Sequence, residues 1–103
     1  MTCIDPWGLE PTRSLDLTRR GFSFMPHNVH VDAGNRVLVS APAMHSDAPG
    51  AVDEVVEVEP VSCAVRRRVR LPGARMVAHL VTHAAEGTVF VTAYGSGDLW
   101  ALD

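Results

Sequence analysis

Apolar and polar positions in this chain follow two patterns, strict alternation in some segments and unbroken apolar runs in others, and both belong to β-strands. Val37-Leu38-Val39 and Val89-Phe90-Val91 are apolar on both faces, as strands covered on both sides must be. Val65, Val69 and Leu71 alternate with Arg66, Arg68 and Arg70, and Val56 and Val58 alternate with Glu57 and Glu59, which predicts strands exposed on one face. Glu86-Gly87 and Gly95-Ser96-Gly97 read as turns. The pattern predicts strands over Cys3–Asp5, Ser14–Leu17, Asn28–Val31, Val37–Ser40, Glu54–Glu59, Ala64–Leu71, Val77–His83, Val89–Ala93 and Leu99–Asp103. A hairpin about Pro60–Ala64 would set Glu59 opposite Arg66 and Glu57 opposite Arg68. Cross-strand ion pairs of this kind contribute about 0.2–1 kcal/mol each, and their charge discourages edge-to-edge aggregation.

The pattern repeats. His27–Ala41 matches His79–Ala93 at a constant offset of 52 residues: His27 on His79, Val29 on Val81, Val37, Val39 and Ala41 on Val89, Val91 and Ala93, with Ser40 and Thr92 a conservative pair. Ile4-Asp5-Pro6 echoes Val58-Glu59-Pro60 at an offset of 54, as Leu17 echoes Leu71. Residues 1–103 therefore read as one all-β domain of two repeats, at approximately 3–53 and 54–103. The connection after Ser40 is about eight residues longer than the matching turn after Thr92, and Pro42, Pro49 and Gly50 mark it as loop. Inserted loops of repeat proteins often lie on the binding face.

Composition narrows the function classes. A chain of 103 residues suffices for a single domain. The formal charge of −3 gives no reason to expect nucleic acid, and the Arg66-Arg67-Arg68 run has glutamate partners on the neighbouring strand. All nine basic residues are arginine, so lysine chemistry is excluded. No apolar run approaches the roughly 20 residues needed to span a bilayer, and the N-terminus lacks the order of a signal peptide, so a cytoplasmic location is expected. Cys3 and Cys63 are too few for a disulfide framework; a single bridge is compatible with the sequence and has no positive support in it. Serine and cysteine nucleophile motifs are absent.

Buried inner strands, charged outer strands and a repeat near 50 residues together suit β-propeller blades. PHNVHVDAGNRVLVS resembles the strand-turn-strand of NHL- and YVTN-type propeller repeats. GTVFVTAYGSGDLWALD is similar to the second half of a YVTN repeat, with Thr92, Tyr94, Gly95, Gly97 and Asp103 in matching places. The resemblance covers Met25–Asp103 and, more loosely, Ile4–Leu17. It implies an all-β fold of antiparallel, four-stranded, propeller-like blades, about two per chain, completed by oligomerisation. Closed propellers have about four to eight blades, and each blade is covered by neighbours at about 25 cal/mol per Å² of apolar surface. Two blades alone leave two faces open. Either copies assemble head-to-tail into a homo-oligomer, with Leu99–Asp103 pairing the Cys3–Leu17 region of a neighbour, or the chain belongs to a longer propeller. Propellers serve many functions, so the resemblance specifies fold better than activity.

The resemblance also places His27 and His79 at the start of the innermost strands, facing a central channel. Streptogramin-lyase-like proteins of this type use a channel-facing histidine as base together with a divalent ion; His27 would match that base, with His79 as its repeat partner, and Asp32 matches that pattern's aspartate. Asp32 also suits capping of the turn Ala33-Gly34-Asn35. His30 points away from His27, whereas His79 and His83 share a face but sit roughly 13 Å apart at about 3.3 Å per residue, too far for one ion. No metal site is expected within one chain, and the cofactor is left open. His45 and Asp47 in the long loop, Trp7 in the turn Pro6-Trp7-Gly8, and Tyr94 are candidate contacts for a small-molecule or glycan ligand; Phe90 and Trp100 fall on strands and read as core. The expected role is a binding or scaffold module with contacts at the channel mouth or the 42–50 loop. The alternatives are a channel-centred lyase or hydrolase and an inactive propeller fragment.

Overall fold

The computed structural model describes residues 2–4, 11–14, 26–43 and 52–103. These form nine strands and no helix: β1 (Thr2–Ile4), β2 (Pro11–Ser14), β3 (Asn28–Val31), β4 (Val37–Ala41), β5 (Glu54–Val58), β6 (Val65–Arg70), β7 (Val77–His83), β8 (Thr88–Ala93) and β9 (Asp98–Leu102). All pairings are antiparallel between chain neighbours, in a four-stranded sheet β3-β4-β5-β6, a three-stranded sheet β7-β8-β9 and a hairpin β1-β2. The sequence expectation of a strand over Ser14–Leu17 meets the structure only at Ser14, since 15–17 lie outside the described residues.

Turn chemistry fixes the hairpins. Asn35 (φ 61°) and Gly87 (φ 72°) take left-handed conformations at matching turns, which glycine and asparagine adopt at least cost. Asp32 accepts the N–H groups of Gly34 (3.0 Å) and Arg36 (2.8 Å), closing the β3–β4 turn as its capping residue.

Ladder registers repeat along the chain. β4 pairs β5 through Val37↔Val58, Val39↔Val56 and Ala41↔Glu54; β8 pairs β9 through Val89↔Leu102, Val91↔Trp100 and Ala93↔Asp98. β9 thus holds the place of β5. Likewise β1-β2 copies β5-β6: Thr2↔Ser14, Cys3↔Arg13 and Ile4↔Pro11 match Val56↔Arg68, Glu57↔Arg67 and Val58↔Val65, down to an irregularity at the same step.

One match is corrected. β3 pairs β4 through Val29↔Val39 and Val31↔Val37, whereas β7 pairs β8 through Leu80↔Val91 and Thr82↔Val89, after a register shift between Val77 and Leu80. The shift moves β7 by one residue, so Asn28, not His27, is the structural counterpart of His79. A one-residue slip exchanges the faces of a strand, which separates the roles of the two histidines.

Two clusters form the core. Leu38, Val55, Leu71, Val77, Leu80, Val89 and Val91 fill the space between the two larger sheets, with Trp100 packed against them. Val39, Ala41, Val56, Val58 and Cys63 form a second cluster on the other face of the four-stranded sheet. Trp100 joins the core as its pattern predicts. Phe90 is half-buried and, one step out of phase with Val89 and Val91, belongs to the opposite face of β8.

β5 departs from the expectation of a half-exposed strand: every one of its residues is buried, Glu54 completely. The irregularity between Glu57 and Val58 sets Glu57 opposite Arg67 rather than Arg68. Arg68 instead grips Glu54 with Nε at 3.0 Å and Nη2 at 2.9 Å, a bidentate contact that compensates the burial of the carboxylate. Arg66 lies 3.3 Å from Glu57 and 3.9 Å from Glu59, so the expected Glu59–Arg66 pair is present.

Asp53 ties the sheets together. Its Oδ1 accepts the N–H of Ala43 after β4, and its Oδ2 accepts that of Val77 at the start of β7, at 2.8 and 2.9 Å. The carboxylate is buried and satisfies two backbone donors that no ladder serves.

Candidate functional site

Strand direction and register bring several of the singled-out residues to one end of the stacked sheets. His27 and Asn28 lie there because Asn28 pairs Ser40; His79 lies there because its N–H donates to Thr92 Oγ1 at 3.1 Å. Tyr94 follows Ala93 in the equivalent place, and the 42–50 connection leaves β4 at Ala41 beside them. His83 and Asp32 belong to the other end. His45, Asp47 and Trp7 lie outside the described residues.

The edge strands β3 and β7 face each other, and polar side chains bridge them. Asn28 Nδ2 donates to His79 Nδ1 at 3.0 Å, and His30 Nε2 is 3.1 Å from Thr82 Oγ1. The same backbone device prepares both sides: Asn28 N–H donates to Ser40 Oγ at 3.0 Å as His79 N–H does to Thr92 Oγ1. A hydroxyl at the Ser40/Thr92 position therefore has a structural use that the repeat alone only hinted at. Because Nδ1 of His79 accepts, its neutral ring carries the proton on Nε2 and presents a donor to solvent. His27 and Tyr94 are exposed at this end; Tyr94 keeps 60% of its surface.

Asp32 is committed to the turn rather than to a site. Burial pushes its carboxyl up, but hydrogen bonds from Arg36 and Gly34 and the Arg36 charge outweigh that, and its pKa falls below the usual value. Its second oxygen takes the guanidinium of Arg36, which also reaches the carbonyl of Gly87 at 3.1 Å.

Between the sheets lies a crevice of about 20 Å³, lined by Arg36, Leu38, Val55, Glu57 and Val89 among others. That is room for one water and too little for an organic ligand. Among the described residues no three His, Cys, Asp or Glu side chains converge as a metal site requires, and no helix is long and apolar enough to cross a membrane. Cys63 is disulfide-bonded. Such bonds are rare in reducing compartments, so the bridge lends no support to a cytoplasmic location. No protein-family model, curated protein or solved structure matches the chain.

Proposed function

We propose that this chain is a binding or scaffold module of the β-propeller type, its two larger sheets acting as blades and its ligand meeting the end of the stack that carries His27, Asn28, His79 and Tyr94. The observation that carries this reading is the Asn28–His79 hydrogen bond. It fixes the ring and directs an N–H outward, an arrangement suited to recognising an acceptor-rich small molecule or glycan. The antiparallel ladders behind β3 and β7 position the donors in advance, which lowers the entropic cost of binding. The 42–50 connection leaves β4 at the same end.

The catalytic alternative keeps His79 as its better candidate, because Asn28 supplies the orienting partner a base requires. In the tautomer that Asn28 selects, however, the exposed nitrogen is an acid or donor, not a base. Titrating glycans and small carboxylated ligands into isotopically labelled protein tests the proposal. Saturable shifts at Asn28, His79 and Tyr94 that vanish in Asn28→Ala/His79→Ala support it. Shifts confined to other residues, or turnover of a ligand by the intact chain, contradict it.

A further inference from the structure

β9 holds the place of β5 in its sheet, yet the two strands live in different surroundings. β5 is flanked by β4 and β6, and Glu54 to Val58 are buried throughout. β9 is flanked by β8 alone among the described residues, and Leu99 keeps 67% of its surface. Among the described residues its outer edge therefore presents a row of backbone donors and acceptors that no ladder serves.

The carboxylates along that edge match as well. The shared register sets Asp98 in the place of Glu54, and Asp103, the residue after Leu102, in the place of Glu59, the residue after Val58. In the four-stranded sheet those glutamates meet arginines of the fourth strand: Glu54 meets Arg68 and Glu59 meets Arg66, two positions apart on β6. At β9 both aspartates are exposed; Asp103 is positioned by a 2.9 Å hydrogen bond from Thr88 Oγ1 and shares the wall of the crevice with Arg36 and Arg67, and among the described residues no ion pair joins an arginine to either aspartate. An edge that ordinarily takes protection from positive charge or proline carries neither here.

We propose that the open edge of β9 receives an extended segment bearing Arg-x-Arg, which adds antiparallel as a fourth strand and sets its two guanidinium groups over Asp103 and Asp98. Backbone hydrogen bonds supply affinity in such strand addition, and the alternate side chains supply selectivity. The edge is distinct from the β3/β7 end, so this proposal and the ligand reading stand or fall separately.

The probe is a synthetic peptide with the sequence of residues 64–71, AVRRRVRL, titrated into the labelled full chain at low salt. The expected result is saturable shifts centred on the amides of 98–102, with affinity falling about three- to tenfold in Asp98→Asn/Asp103→Asn. Asparagine at 103 keeps an acceptor for Thr88, so this variant can retain that cross-strand hydrogen bond. A peptide with all four arginines replaced by glutamate should not bind. The proposal is overturned if shifts fall outside β9, if the double variant binds equally well, if the glutamate peptide binds, or if the chain forms a dimer through β9 that survives the double substitution.

Discussion

Asn28 and His79 hold the same position in successive sheets, and the amide of one donates to the imidazole of the other across 3.0 Å. The pairing exists because the register shift between Val77 and Leu80 advances β7 by one residue. Asn28→Ala removes the donor and frees Nδ1. The cost in stability should be small, about 0.5–1.5 kcal/mol at most, since both groups can turn to water. The informative readout is the ring ¹⁵N spectrum of neutral His79: the Nε2–H form should dominate in the native chain and lose its dominance in the variant. A native chain dominated by Nδ1–H would contradict the arrangement.

Asp53→Ala should be among the most damaging single substitutions. It strips the acceptors from the N–H groups of Ala43 and Val77, and an orphaned buried donor costs about 1–3 kcal/mol. Asp53→Asn leaves one acceptor and should lose roughly half as much. Urea unfolding of the two variants gives both values.

Glu59 sets a pH dependence. The backbone N–H of Ser62, its hydroxyl, the Val61 N–H and the charge of Arg66 hold the carboxylate at a pKa of about 2, against 4.5 ordinarily. A depressed folded-state pKa means that the contribution is complete above the ordinary value and is lost as pH falls from there through about 2. Asp32, also lowered, acts in the same direction. Ser62→Ala removes the hydroxyl but keeps the backbone N–H, so it should raise the Glu59 titration only part of the way toward its ordinary range and soften the acid limb of the stability curve. An unchanged Glu59 midpoint in that variant would refute the hydroxyl's share of the effect.

Gly95 and Gly34 should respond differently to alanine. A Cβ at Gly95 would stand 3.0 Å from the carbonyl oxygen of Arg75 and 2.9 Å from Met76 Cγ, and the Gly95 N–H already donates to that carbonyl. At Gly34 the nearest atom is 3.5 Å away. Thermal unfolding should show Gly95→Ala destabilised by about 1–3 kcal/mol and Gly34→Ala nearly unchanged.

Much of the fold was legible in the sequence, for physical reasons. The runs at Val37–Val39 and Val89–Val91 mark central strands because only strands covered on both faces tolerate them, and the Asn35 and Gly87 turns lie where the pattern breaks. The exposure of β5 was not legible. Glu54 and Glu57 look like a solvated face until the arginines of β6 are placed over them, and that placement depends on an irregularity without a residue signature. The same holds for the one-residue shift in β7, which breaks the apparent equivalence of His27 and His79. Asp53 carried no motif at all; its importance arises only when Ala43 and Val77 converge on it. Of the candidate site, the sequence singled out His27, His79 and Tyr94, which the register brings to one end, but not Asn28, which orients His79.

The account rests on β3–β6 and β7–β9 sharing one core, joined by Leu38, Val55, Leu71 and Val91 and tied by Asp53. Native-state hydrogen exchange tests this most directly. The amides of β4, β5 and β8 should share the slowest, globally limited exchange and should all weaken together in Asp53→Ala. Exchange of β8 through an opening that leaves β4 and β5 protected would show the two sheets to be separate units and would contradict the account.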